Sequence, residues 1–492
     1  MTAIRTLMLG IDAADLDFIQ RHSGRLPVLQ RLMRQGTLHG LESTSRLLTG
    51  SVWPTFYTGT HPGVHGIYHH LQWDPTRMRT RRVAHDWLPC EPFWYEMVRR
   101  GTRVTVVDVP MALPSRLESG SEVVNWGSHD QLGPLHANRP ELQKEIRVRF
   151  GRHPMGAEIP VTKTLAELGR IRRNLVEGAA LKGRLIQHLL ASTEWDFFLA
   201  VFGECHRGGH VLWPEASPDS LIQPDALIDV YQAVDTALGR ILAAIDPAAT
   251  RVVVFSLHGM GPNTSQEHFV RPVMQRLYRL HCEGSPLRPG RPPGQRSLMG
   301  LLRRRLPGRV QNAIARAVPV TVRDWVVSRA TTGGYNWETT PCFPLLADLN
   351  GYLRLNLKGR EVSGCLERQT ASYCRYREWL DSSWRELCTS DGGEAVVEDV
   401  VAMAEVFPGP RSDQLPDLVV TWRDLAPQLV LRSALVGSIR GRLDTGRSGN
   451  HRHQGFALVQ GPAVEGGVWE EVSHIQHLAR VVGRLHGVPA RN

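Results

Sequence analysis

Three short apolar runs, each followed by residues able to hold a metal or move a proton, constrain this chain more than any other feature. Thr6–Ile11 runs into Asp12. Trp195–Phe202 leads into Glu204-Cys205-His206-Arg207-Gly208-Gly209-His210, and Arg251–Ser256 leads into Leu257-His258-Gly259. Runs this short and this apolar read as strands buried on both faces. Between and around them lie stretches with helical spacing: Leu16–Gln35 with a break at Pro27, the series Leu165, Leu168, Ile171, Leu175, Leu185 and Leu189, and Asp225–Ile245. Arg103–Val109, Asp417–Trp422 and Gly455–Gln460 read as further strands, and Val472–Leu485 as a closing helix. Strands separated by helices predict an α/β fold with a mostly parallel central sheet. Functional groups in such folds gather beyond the carboxyl ends of the strands. Asp12, His206 and His258 fall there.

Composition narrows the class. The 492 residues, 42% hydrophobic and 22% charged, suit a soluble globular enzyme and exclude a disordered or fibrous chain. No uncharged apolar run approaches the roughly 18 residues of a membrane span, and the opening apolar stretch is too short for a signal peptide. Seven cysteines without a C-x-x-C pair indicate neither a disulfide framework nor a thiolate zinc site. A reducing cytoplasm is therefore the expected compartment. The net charge of +10 is local: Arg271–Ala330 holds 13 Arg, no Lys and two acids, and the remainder balances 45 basic against 46 acidic residues. That is not the spread basic surface of a nucleic-acid-binding module. It reads as a solvated loop and helix face, or more sharply as a weak contact for an anionic surface.

If the segment after Phe202 is helical, His206 and His210 share a face four residues apart, as two imidazoles on one cation require. Gly449-Asn450-His451-Arg452-His453 supplies further imidazoles. The stretch Thr49-Gly50-Ser51-Val52-Trp53-Pro54-Thr55 continues through Thr58-Gly59-Thr60-His61-Pro62-Gly63-Val64-His65-Gly66-Ile67. With Gly10-Ile11-Asp12 before it, this resembles the alkaline phosphatase superfamily, in its type I phosphodiesterase/nucleotide pyrophosphatase branch. The resemblance implies an alkaline-phosphatase-like α/β/α sandwich. Its catalytic core would be 1–75, 190–270 and 335–492, with a lid at 76–189 and a basic Arg-rich insertion at 271–334. It implies hydrolysis of a phosphodiester, or of a phosphomonoester or sulfate ester, through a covalent intermediate on Thr49, with Ser51 as the fallback nucleophile. It also implies zinc, held by His206, His210 and His451 in one site and by Asp12, Thr49, residue 257 and His258 in another. Helix-start amides around Gly50 and Ser51 would bind a non-bridging oxygen, and His129 and Asp130 in the lid would contact the small anionic ester. His61 and His65 read as structural, and Arg354, Lys358 and Arg360 as either substrate contacts or a surface strand.

Two positions depart from the family pattern. His206 stands where most members have Asp, and Leu257 where most have Asp before His258. Imidazole replaces the first well, since three His and an open position suit a catalytic zinc. Leu cannot bind a metal. Two zinc ions would then face too little negative charge, so the expectation is one tight zinc and a weak or absent second, unless Glu204 or Asp15 substitutes or bound substrate completes the site. A transferase using the same intermediate and a non-catalytic metal- or anion-binding scaffold are the alternatives.

Overall fold

The computed structural model describes residues 4–156, 163–214, 221–283, 318–443, 445–462, 464 and 468–489. The predicted apolar runs become the middle of an eight-stranded sheet. Its strands are β1 (Arg5–Ile11), β2 (Thr37–Glu42), β3 (Val104–Val107), β4 (Ser121–Val124), β5 (His136–Ala137), β6 (Phe197–Phe202), β7 (Thr250–Ser256) and β8 (Gln454–Gln460). In space they run β2-β8-β7-β1-β6-β3-β4-β5. β7, β1, β6, β3 and β4 pair in parallel, and antiparallel pairings bring in β8, β2 and β5.

Successive side chains of a strand point to opposite faces, and each face here has its own core. Leu7, Leu9 and Ile11 of β1 join Phe198, Ala200 and Phe202 of β6 on one side. Met8 joins Leu199, Val201, Val253 and Phe255 on the other. The first core is covered by α4 (Leu165–Ser192) and α6 (Ala226–Leu242), the second by α3 (Val52–Thr58) and α7 (Ile475–Leu485). The result is a three-layered α/β/α arrangement around a mostly parallel sheet. Pro27 divides the predicted Leu16–Gln35 helix into α1 (Leu16–Arg21) and α2 (Pro27–Gln35), because proline is accommodated in the first turn of a helix and not in its interior.

Three expectations need revision. The segment 76–189, read as a lid, supplies β3, β4 and β5 to the central sheet. Val104 lies opposite Phe197, so this part of the chain builds the core as well as covering it. The run predicted at Asp417–Trp422 is a strand, Leu418–Trp422, but in a separate four-stranded antiparallel sheet with Cys342–Pro344, Gly351–Leu355 and Val397–Ala402. An apolar strand reads alike in either sheet; here its register partner is Gly351–Leu355. Arg354 and Arg360 are not substrate contacts of the central site. Arg354 is 1% exposed and bonded to Glu361, and Arg360 forks onto Asp417.

Of the basic insertion, 284–317 lies outside the described residues. The helices Val270–Glu283 and Val320–Thr332 flank it, and the second is tied to the body by Arg82 gripping Asp324 with bonds of 2.7 and 2.8 Å. Among the described residues no helix is long and apolar enough to cross a membrane. Phe198 is wholly buried between β1 and the helices. Its replacement by alanine is expected to cost about 3–5 kcal/mol, read as a lowered denaturant midpoint; a loss below about 1 kcal/mol would contradict this packing.

Candidate active site

Asp12 follows β1 directly and has no exposed surface. Its amide donates to the Phe202 carbonyl at 2.8 Å, which continues the strand register past Ile11. A buried carboxylate needs donors, and three elements supply them. From α3, the Trp53 indole N–H donates to Oδ1 at 2.9 Å. From α5 (Glu204–Leu212), His206 Nδ1 lies 2.8 Å from Oδ2. From the loop after β4, His129 Nδ1 lies 2.9 Å from the same oxygen. Burial alone would raise the Asp12 pKa, but the two imidazoles outweigh it and hold the carboxyl well below its usual range.

The helix predicted after Phe202 is present, and its spacing puts His206 and His210 together, with their Nε2 atoms 3.0 Å apart. His451 arrives on a two-stranded ribbon, Gly259–Pro262 paired antiparallel with Gly449–Arg452, where Met260 lies opposite His451. The ribbon reaches α5 because both facing positions are glycine. A Cβ on Gly449 would sit 2.2 Å from the Gly209 carbonyl oxygen, and one on Gly209 2.7 Å from Met260 Cγ. Burial lowers His210 and His451 well below the ordinary imidazole pKa, helped by Arg447 and the neighbouring rings, and lowers His258 to about 4 against the pull of Asp12. These three rings are neutral near pH 7 and offer lone pairs, the form in which histidine binds metal.

Two overlapping donor groups result: His206, His210 and His451, and Asp12, His206 and His258, each with ligand atoms within 4.8 Å of one another. His451 Nδ1 is buried without a hydrogen-bond partner. This donor set fits a divalent metal. Neither candidate substitute for Leu257 joins it. Glu204 faces away to His153 at 2.8 Å, and Asp15 caps α1 by accepting the Phe18 amide at 2.8 Å. Leu257 itself packs in the apolar core.

Thr49 opens a tight turn, Thr49–Ser51, that continues into α3. Its Oγ1 is buried and makes no hydrogen bond of acceptable geometry, with the Tyr352 hydroxyl beside it and accepting the Thr49 amide at 3.2 Å. The Ser51 hydroxyl is committed elsewhere, to Thr44 at 2.7 Å and the Leu48 carbonyl at 2.6 Å, and turns away from the cleft. Gly50 is required sterically: a Cβ there would lie 2.4 Å from the Tyr68 carbonyl oxygen. Thr49, Gly50, His129, Asp130 and the four other histidines line one cleft. His65 is structural as expected, bonded to Thr55 and to the Ile67 amide at 3.0 Å each.

Sequence reasoning missed Trp53, Arg447, Asp348 and His70. Trp53 was legible in part, since it lies in the turn following Thr49. Arg447 and Asp348 meet across 3.0 Å in the cleft wall, and His70 meets Asp130 at 3.2 Å. Burial alone would lower His70 and raise Asp130. Their pairing reverses both, so the wall sets each carboxylate beside an imidazole or guanidinium partner. The loop carrying His129 hangs on Asp108, at the end of β3, which accepts the Trp126 and Gly127 amides at 2.8 and 2.7 Å and the wholly buried Lys182 ammonium.

The family model for type I phosphodiesterase / nucleotide pyrophosphatase matches residues 6–315. No curated protein sequence matches the chain. Among solved structures it is similar to phosphonoacetate hydrolase from Sinorhizobium meliloti, with phosphonoformate (14% identity, TM-score 0.51) and with phosphonoacetate (13%, 0.51), over 99% of this chain and 96% of that one. A murine ectonucleotide pyrophosphatase / phosphodiesterase 5 in complex with AMP has 12% identity and a TM-score of 0.48. At such identities the first two likenesses show a shared fold.

Two substitutions test the scaffold. Gly449→Ala must push the His451 ribbon off α5, and metal retention measured by chelator competition is expected to weaken on the order of tenfold or more, with the far-ultraviolet spectrum kept. Lys182→Met strands the Asp108 charge and is expected to cost about 3–5 kcal/mol in denaturant unfolding.

Proposed function

The chain belongs to the type I phosphodiesterase / nucleotide pyrophosphatase family, and from that premise we propose that this hydrolase cleaves a phosphodiester through a covalent intermediate on Thr49. The observation that carries the reading is the buried Thr49 hydroxyl, without a hydrogen bond, in one cleft with His206, His210, His258 and His451. A nucleophilic hydroxyl must be free to give up its proton and approach phosphorus in line, and Ser51 is not free in this way. His206, His210 and His451 would hold zinc, which when bound supplies Lewis-acid stabilisation of charge on the ester oxygens.

The chain's own groups do the rest. Thr49 Oγ1 forms the bond to phosphorus while the bond to the leaving alcohol breaks and that oxygen is protonated. Water then attacks phosphorus, returning the hydroxyl to Thr49 and releasing the acid. The Ser51 amide is occupied by the Leu48 carbonyl at 3.2 Å, so the role of receiving a non-bridging oxygen falls to the Gly50 amide. His129 and Asp130, with Arg447 opposite, contact the substrate beyond the reacting centre. The seven cysteines all remain free thiols, which supports a reducing, cytoplasmic setting.

The test uses zinc-loaded protein and bis(p-nitrophenyl) phosphate, with p-nitrophenyl phosphate and p-nitrophenyl sulfate for comparison. Thr49→Ala is expected to lower diester hydrolysis by at least about 10³-fold with metal content unchanged, and Ser51→Ala to retain the reaction. Activity surviving in Thr49→Ala would overturn the nucleophile, and a preference for the monoester or sulfate would overturn the substrate class.

A further inference from the structure

The two donor groups share His206, and its two ring nitrogens face different partners, Nδ1 towards Asp12 and Nε2 towards His210. Its Nδ1 lies 2.8 Å from Asp12 Oδ2. An ionised carboxylate only accepts, so Nδ1 carries the proton and Nε2 a lone pair. His210 is fixed in the same way, because its Nδ1 lies 3.3 Å from the Gly449 carbonyl oxygen and must donate to it. Two bare Nε2 atoms therefore point at each other across 3.0 Å. A proton there would satisfy two lone pairs. A divalent ion would satisfy both and the nearby His451 as well. Ligation of the second group through His206 Nδ1 would require that nitrogen to lose the proton it gives Asp12.

Asp12 is equally committed. Oδ1 accepts the Trp53 indole N–H, a group that only donates, at 2.9 Å, and Oδ2 faces both His206 and His129. Without His206, the second group keeps Asp12 and His258, whose Nε2 is 3.6 Å from Oδ1, beside the Thr49 hydroxyl of the same cleft. One committed carboxylate, one imidazole and a hydroxyl that must lose its proton to bind are too weak a set for a tight site.

We infer that this chain holds a single divalent metal on His206, His210 and His451, and that Asp12 is not a ligand but the hydrogen-bond acceptor that fixes the His206 tautomer. The exchange of a carboxylate for His206 and the loss of one at Leu257 then belong together: they convert a two-metal cleft into a three-histidine site backed by a carboxylate. The inference rests on reading this cleft as metal-binding. Asp12 is a positioning residue, and metal-bound histidines commonly donate their other N–H to such a partner.

Zinc per chain, measured by elemental analysis and native mass spectrometry after zinc loading and desalting, tests this without any substrate. One zinc is expected in the natural protein and in Asp12→Asn, the variant binding about 10–100-fold more weakly by chelator competition; His210→Ala is expected to hold none. Zinc X-ray absorption of the natural protein, which needs no variant to fold, is expected to show three imidazole donors and no protein carboxylate. Two zinc ions per chain falling to one in Asp12→Asn, a carboxylate among the donors, or no zinc at all would each overturn the inference. One zinc on three imidazoles in a protein that hydrolyses no ester would leave the inference standing and sink the proposed function instead.

Discussion

The site depends on keeping one negative charge dry. Asp12 sits at the end of the central strand with no exposed surface, where an unpaired carboxylate would be prohibitively costly. Its partners come from separate layers: Trp53 from the helix over one face, His206 from α5, and His129 from the loop hung on Asp108. Because each of these groups is anchored in its own element, the carboxylate fixes their mutual positions as well as its own. The Lys182–Asp108 pair repeats this logic one step further out, where a second buried acid holds the loop that delivers His129.

The charge of the cleft follows from its side chains at two positions. With Leu257 in the apolar core and an imidazole at His206, Asp12 is the only carboxylate in either donor group. Negative charge reappears farther out, in Asp130 and Asp348, but there it faces His70 and Arg447. The inner cleft is thus rich in imidazoles and the outer wall in paired carboxylates. An anionic ester meets no uniform field on its way in, so its recognition rests on particular partners rather than on net charge.

Much of this was legible locally. The strands around Asp12, His206 and His258 announce themselves as short apolar runs, and His206 and His210 as an i, i+4 pair, because both signals are contained within a few residues. Motif spacing favours Thr49 over Ser51, and the bonds from Ser51 to Thr44 and Leu48, visible only in three dimensions, support the same proposal. What could not be read depends on long-range partners. Nothing near Trp53 says that its indole meets Asp12, 41 residues away. Nothing near Val104 says that it extends the central sheet, nor near Leu418 that it joins a different one. Glu204 and Asp15 were sensible substitutes for a lost ligand on sequence alone, but a helix cap and a histidine partner had already claimed them.

The ribbon that carries His451 has a consequence for how such a chain can change. Pro262 lies opposite Gly449, and the Asn263 amide donates to the Ser448 carbonyl at 2.9 Å. The chain between 263 and 448, which carries the four-stranded sheet, therefore leaves the central sheet and returns to it at a single clasp. An excursion whose two ends already touch can lengthen, shorten or be exchanged without rerouting any strand of the central sheet. It also means that a ribosome must emit the whole excursion and then His451 before the last imidazole can reach its place. No truncated product ending inside that excursion carries the complete set of donors.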